Sequence, residues 1–289
     1  MRGTLRGSAW PLVRAAGSCY AGPMDGIAHA RAIAARVVPA YRPLGGLSFA
    51  YGQGSVVTGF SADADIDLVL VWDRAAPPAP EARPAPRLNE GDRPAKQFHQ
   101  PGSYRDQFRI GTRPIDVAHI PAAVFAEWLD SVGAGGGWEQ RAYPQPLAAV
   151  AGLAYGVLLA DERGAGAAAR ARVAAFPPAL AARSRARLAE QLPGYADALA
   201  GCAARGDGWL FHEILADALR GACATWFAAH GRYLPFHKRL HDWVARFGLD
   251  PELAQLERQL WLPGADLARK QALYVALAER VLALPAIPE

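Results

Sequence analysis

Three aspartates are placed where carboxylates are costly, and the chemistry of the chain is read outward from them. Asp65 and Asp67 flank the entrance to Ile66-Asp67-Leu68-Val69-Leu70-Val71-Trp72, an almost unbroken apolar run. Such a run predicts a central strand buried on both faces. In a strand, residues two apart point to the same side. Two carboxylates on one side of a buried strand repel each other and lose hydration, so they call for a cation. Asp116, in Pro114-Ile115-Asp116-Val117, is a lone acid between β-branched residues and raises the same demand. Hard oxygen donors of this kind suit Mg²⁺ bound together with the phosphates of a substrate. Asp65, Asp67 and Asp116 are therefore the candidate metal ligands and catalytic carboxylates.

Upstream, Leu47, Phe49 and Tyr51 alternate with small residues and lead to Gly52-Gln53-Gly54-Ser55, a strand ending at a turn. Gly54 would let the backbone approach a phosphate, and the Ser55 hydroxyl and amide would bond to it. Gly54 to Ser61 has the GxxxxG spacing of a P-loop. Phe60 stands where the P-loop lysine belongs, and a polar run follows where that motif needs a helix, so the P-loop is rejected. Loop capping would also account for Asp65 and Asp67 alone, but not for Asp116 and the Gly-Ser turn together with them.

The pattern that remains is Gln53-Gly54-Ser55, nine residues from Val56 to Ala64, then Asp65-Ile66-Asp67-Leu68, with Asp116 on a later strand. It resembles the signature of the DNA polymerase β-like nucleotidyltransferase superfamily, although Gln53 departs from the apolar first position. A second block, Phe227-Ala228-Ala229-His230-Gly231-Arg232-Tyr233-Leu234-Pro235-Phe236-His237-Lys238-Arg239-Leu240, looks like one found in the helical domains of aminoglycoside and lincosamide nucleotidyltransferase-like proteins. The resemblance implies transfer of AMP from ATP, or of another NTP's nucleotidyl group, to a hydroxyl acceptor with release of pyrophosphate. It implies Mg²⁺ as the cofactor. It assigns Gly54, Ser55 and Lys238 to nucleotide binding, and leaves Asp116 either as a metal ligand or as the base for the acceptor hydroxyl. The acceptor would be a small molecule, antibiotic-like in the nearest families, or a protein. An aminoglycoside-type acceptor predicts an acidic wall in the cleft, for which Glu213 and Asp217, four apart on a helix, are the candidates. The reading from another class is a catalytically silent binding or antitoxin-like module, against which three retained carboxylates argue.

The elements that must position these groups follow from periodicity. The expected fold is α+β: a small mixed sheet with flanking helices (residues 24–130), a linker (131–145) and an all-helical bundle (146–289). Residues 1–23 read as a disordered extension, with Asp25 capping a helix that Pro39 and Pro43 end. Residues 74–104 are rich in proline and read as a long loop over the site. Arg83, Arg87, Arg93 or Lys96 could fold from it onto phosphates. Residues 104–110 and 114–120 form a hairpin about Gly111-Thr112, and Pro121 starts a helix. Gly133 to Gly137 acts as a hinge. Helices are expected over 147–161, 178–192 with a continuation over 195–205, 208–230, 238–247, 250–261 and 266–284.

With 289 residues and 52% hydrophobic side chains, the chain has material for one large domain or two. A net charge of +4, pI about 9.1, suits polyphosphate handling but lacks the basic, aromatic strip of a nucleic-acid binder. Cys19, Cys202 and Cys223 show no CxxC spacing and fit reduced thiols of a cytoplasmic protein. No apolar run is long enough for a transmembrane helix. His237 and His241 have helical metal-ligand spacing, but Lys238 replaces the glutamate of a zinc protease and no third ligand stands out.

Overall fold

The computed structural model describes residues 23–137, 142–235, 238–262 and 266–287. The expectations for residues 1–22, for the Asp25 cap and for His237 lie outside what is described. The architecture is α+β, with one six-stranded mixed sheet and many helices.

The sheet has the order β3-β4-β5-β2-β1-β6. Its centre is β2 (Ile66–Trp72), antiparallel to β1 (Leu47–Gln53) and parallel to β5 (Arg113–Pro121). The apolar run of β2 is buried from Leu68 to Trp72, as its composition demands. Alternation divides its side chains between two cores. Leu68, Leu70 and Trp72 face Ala30, Ile33, Val37 and Tyr41 of α1 (Pro23–Tyr41). Val69 and Val71 face α4 (Ala122–Gly133), α5 (Pro146–Tyr155) and α6 (Ala165–Ala174). Asp67 shares the parity of Val69 and Val71, so it points to the α5 side.

Four local expectations are corrected. First, α1 runs through Pro39 to Tyr41. A proline forfeits one backbone hydrogen bond near the helix end, and the fully buried Val37, Val38 and Tyr41 hold that last turn on the sheet. Second, Gly54–Thr58 is a short helix, α2, rather than a bare turn; it ends at Gly59, and irregular chain leads from there to β2, so both the missing helix after the second glycine and the missing lysine still reject the P-loop. Third, residues 74–104 are not one long loop. They contain α3 (Ala85–Leu88) and β3 (Lys96–Gln100), which pairs with β4 (Ser103–Ile110) at the sheet edge. Prolines bracket the strand without entering it, consistent with an edge position. Fourth, the helix expected over 147–161 stops at Tyr155, and β6 (Val157–Ala160) adds to the free edge of β1. The sheet thus recruits chain from beyond the expected linker. Gly152 and Gly156 permit it, because a Cβ at either would collide with Gln53 or with the Gly52 carbonyl of β1.

The remaining helices match the periodicity. They are α7 (Pro178–Arg205, unbroken through Pro193), α8 (Gly208–Ala229), α9 (Leu240–Phe247), α10 (Pro251–Leu260) and α11 (Leu267–Ala283). Asp207, Asp250 and Asp266 each accept a hydrogen bond from a backbone N–H of the first turn, which fixes three helix starts. Trp226, Phe227, Leu215, Leu260 and Tyr274 fill a third, all-helical core. Among the described residues no helix is long and apolar enough to cross a membrane.

Candidate functional site

The parallel register of β2 and β5 sets Asp67 directly beside Asp116. The antiparallel pairings extend the row, with Gln53 beside Asp67 and Gln107 beside Asp116. Four polar side chains on adjacent strands thus share the α5 face at one end of the sheet. Asp65 stands one residue before β2. These groups line a cavity of about 870 Å³, with Gly54, Ser55 and Thr58 on one side and residues of α5, α7, α8 and α9 around it. Such a volume lies toward the upper end for small-molecule sites.

The structure brings seven sequence-derived candidates to this cavity: Asp65, Asp67, Asp116, Gly54, Ser55, Lys238 and Asp217. Lys238 Nζ lies 3.4 Å from Asp65 Oδ2. It lies in the turn just before α9, which docks on the end of α2 and the segment after it. The Phe60 and Trp243 rings meet edge to face, the Arg246 guanidinium lies 3.8 Å from the centre of the Phe60 ring, and Arg246 donates to the Thr58 carbonyl.

Gly54 has φ +81°. A Cβ on it would run into the Asp67 carboxylate, so glycine here makes room for the acid as much as for any phosphate. Burial pushes the Asp67 carboxyl up to about 7, and the neighbouring Asp65 and Asp116 charges push the same way, with Lys238 opposing them. Burial also raises Asp116, against hydrogen bonds from Gln107 and Tyr143 and the nearby Arg105 charge.

Asp116 is held from the strand side. Its Oδ2 accepts from Gln107 Nε2 at 2.9 Å and from the Tyr143 hydroxyl at 3.3 Å. Its Oδ1 is buried without a partner. Arg105 lies between the rings of Phe98 and Tyr143, 4.2 and 4.7 Å from their centres. Gln107, Arg105 and Tyr143 were not singled out from the sequence. Gln107 had a signal: a two-residue turn at Gly111-Thr112 pairs 107 with 116 arithmetically. Tyr143 had none, since it reaches Asp116 from beyond the hairpin.

The carboxylates were tested as a cation site on these observations. Among the described residues, no group of three or more His, Cys, Asp or Glu side chains forms a cluster that could hold a metal ion. Those residues therefore offer no ready-made protein cage. The donor set instead suits a cation shared with a ligand: acidic oxygens on one cavity wall, one buried oxygen unpaired, and an elevated Asp67 that a cation would ionise. Mg²⁺ is bound in this manner, through one or two carboxylates plus substrate phosphates.

Three other expectations fare differently. Arg83 is buried against Asp106, 3.1 Å away, and does not reach the cavity. Arg87, Arg93 and Lys96 are also absent from its lining, so the 74–104 segment supplies no phosphate-binding cation there. Glu213 is exposed and outside the lining, while Asp217 lines it already bound to Tyr195 and Arg220. The two acids do not make an acidic wall. His241 pairs with Glu257 at 2.9 Å.

No family model matches the chain, and no curated protein does. Among solved structures it is similar to a nucleotidyltransferase-like protein from Exiguobacterium sibiricum, at 13% identity over 88% of this chain and 74% of that one, with a TM-score of 0.41. So distant a likeness carries no weight for the chemistry, which rests on the residues.

Proposed function

We propose that the cavity performs nucleotidyl transfer from an NTP to a hydroxyl acceptor with release of pyrophosphate. The observation that carries this reading is the meeting of Asp65, Asp67 and Asp116 with Gly54-Ser55 and Lys238 in one cavity, with Asp116 Oδ1 buried and unpaired. ATP is the first candidate donor on the sequence resemblance alone.

Mg²⁺ held by Asp65, Asp67 and Asp116 would neutralise charge on the α-phosphate and the leaving pyrophosphate. The chain's own groups do the rest by position. Ser55 and Gly54 bind phosphate oxygens. Lys238, already facing Asp65, meets the triphosphate as a point charge. Gln107 and Tyr143 occupy Asp116 Oδ2, so Oδ1 is the atom left to ligate or to take the acceptor's proton. The α9 contact to Phe60 brings the helical wall against the segment that leads to the carboxylates.

The test is calorimetry of the four NTPs with and without Mg²⁺, on wild type and on the Asp65→Ala/Asp67→Ala double variant. Metal-dependent binding that the double variant loses is expected, followed by pyrophosphate release across an acceptor panel. If no nucleotide binds in a metal-dependent way, the enzyme reading falls and a silent binding module takes its place.

A further inference from the structure

The cavity has two unlike linings. Gln53, Ser55 and the three aspartates make one of them polar. The other is largely apolar: Leu147, Ala148 and Ala151 come from α5, Leu188 from α7, Ala224 from α8, and Leu234 from the segment after that helix. Polar residues on this side direct their polar atoms to one another or to backbone. The Tyr155 hydroxyl donates to the Tyr233 carbonyl at 3.2 Å and accepts from the Tyr233 N–H at 2.8 Å, which leaves its ring to the cavity. The Thr225 hydroxyl lies 3.0 Å from both the Ser184 and the Gly221 carbonyls. Tyr195 and Arg220 each donate to Asp217, and Arg187 donates to Gln191. The acid on this lining is therefore already paired. A charged or many-hydroxyl body seated here would give up hydration for few new hydrogen bonds.

The same lining keeps room. Asp217, Gly221, Ala224 and Thr225 share the cavity-facing stripe of α8 at helical spacing. Glycine weakens a helix interior, and packing does not call for it at position 221: a Cβ there would meet nothing within 4 Å. The missing side chain preserves open space in the cavity.

We propose that the acceptor is an alcohol or phenol with an apolar body, seated against Ala148, Leu188, Gly221 and Ala224 with its hydroxyl directed to Asp116. This rests on the nucleotidyl-transfer reading and specifies its second substrate. In the reaction the acceptor oxygen forms a bond to the α-phosphorus as the bond from that phosphorus to the β-phosphate oxygen breaks. Pyrophosphate leaves with the electron pair, and the hydroxyl proton passes to Asp116 or to water. Polycationic and sugar-like acceptors are selected against.

The experiment titrates benzyl alcohol, benzylamine, benzoate and methyl glucoside into the full chain by calorimetry. The donor site is saturated with Mg²⁺ and the α,β-methylene analogue of the tightest-binding NTP, so that no transfer occurs. Wild type is compared with Gly221→Leu and Ala224→Leu, their folding checked by circular dichroism, and with Gly221→Ala, whose Cβ enters open space. Benzyl alcohol should bind more tightly than the other three compounds. Its affinity should fall about tenfold in each leucine variant and by less in Gly221→Ala, with nucleotide affinity changed less than about threefold. Three results overturn the proposal: any of the other compounds binding more tightly than benzyl alcohol, benzyl alcohol binding indifferent to both leucines, or nucleotide affinity falling in step with it, which would give the apolar lining to the nucleobase. If wild type binds no NTP, the transfer reading fails and the acceptor assignment falls with it. Nucleotide binding without a preference for benzyl alcohol overturns the acceptor assignment alone.

Discussion

The sheet carries aspartates on both faces, Asp106 of β4 on one and Asp67 of β2 with Asp116 of β5 on the other, and the two clusters are built on opposite plans. On the α1 face, Asp106 is fully buried and fully served. Arg83 lies 3.1 Å from Oδ1, to which Gln97 also donates; the Tyr41 hydroxyl donates to Oδ2 at 2.7 Å, and His119 Nε2 donates to Oδ2 at 3.0 Å. Trp72 donates to His119 Nδ1, which fixes the imidazole tautomer. Burial alone would raise the Asp106 carboxyl, but the His119, Tyr41 and Arg83 partners together hold it below the usual range. Burial likewise keeps His119 below its ordinary value. On the α5 face, Asp67 and Asp116 are raised, crowd one another, and leave a buried oxygen without a partner. The served cluster ties the 74–104 segment to the sheet. The unserved one lines a cavity. The difference teaches that burial of acids is not itself a mark of function; an unmet demand for a cation is.

The same isosteric change should act with opposite sign in the two clusters. Asp106→Asn leaves Arg83 buried without its counter-charge and should cost about 3–5 kcal/mol, read as a lower denaturant midpoint. A loss well under 1 kcal/mol would break the comparison at its structural end. Gly54→Ala forces a Cβ at φ +81° against the Asp67 carboxylate and should cost about 2 kcal/mol in strain. It should also abolish nucleotide binding in the calorimeter. Unchanged binding would separate Gly54 from the site.

Asp67→Asn should instead stabilise the metal-free protein at pH 8, by up to about 4 kcal/mol. The sign follows from the raised carboxyl. Folded Asp67 keeps its proton up to about pH 7, whereas the unfolded chain releases it near 4. Across that window the folded state binds the extra proton, so wild-type stability falls as pH rises. The advantage of Asn is therefore largest at pH 8 and vanishes near pH 4. Denaturation curves of both proteins across pH 4–8 read it directly. A gap that widened toward acid would show that Asp67 is served after all. Asp106 has the reverse dependence: its depressed carboxyl contributes stability above the unfolded value that is lost as pH falls through the folded one.

Much of this molecule was legible from local pattern. The β2 run, the hairpin about Gly111-Thr112 and the long helices α7, α8 and α11 follow from periodicity and from turn and cap residues. What escaped was decided by partners distant in sequence. β3 and β6 are short and carry weak patterns of their own, and they are strands because β4 and β1 offered open edges. α1 outruns Pro39 because Tyr41 has Asp106 to reach. The residue types and spacing of Asp65, Asp67, Asp116 and Gly54-Ser55 by themselves determined that the chain holds a cation-seeking acidic strand pair behind a small-residue turn. Only the tertiary structure decided which acids go unserved, since that depends on whether Arg83 and His119 or an open cavity stands opposite. It also decided what holds Asp217, because Tyr195 lies on α7 and reaches that carboxylate of α8 only when the two helices pack together.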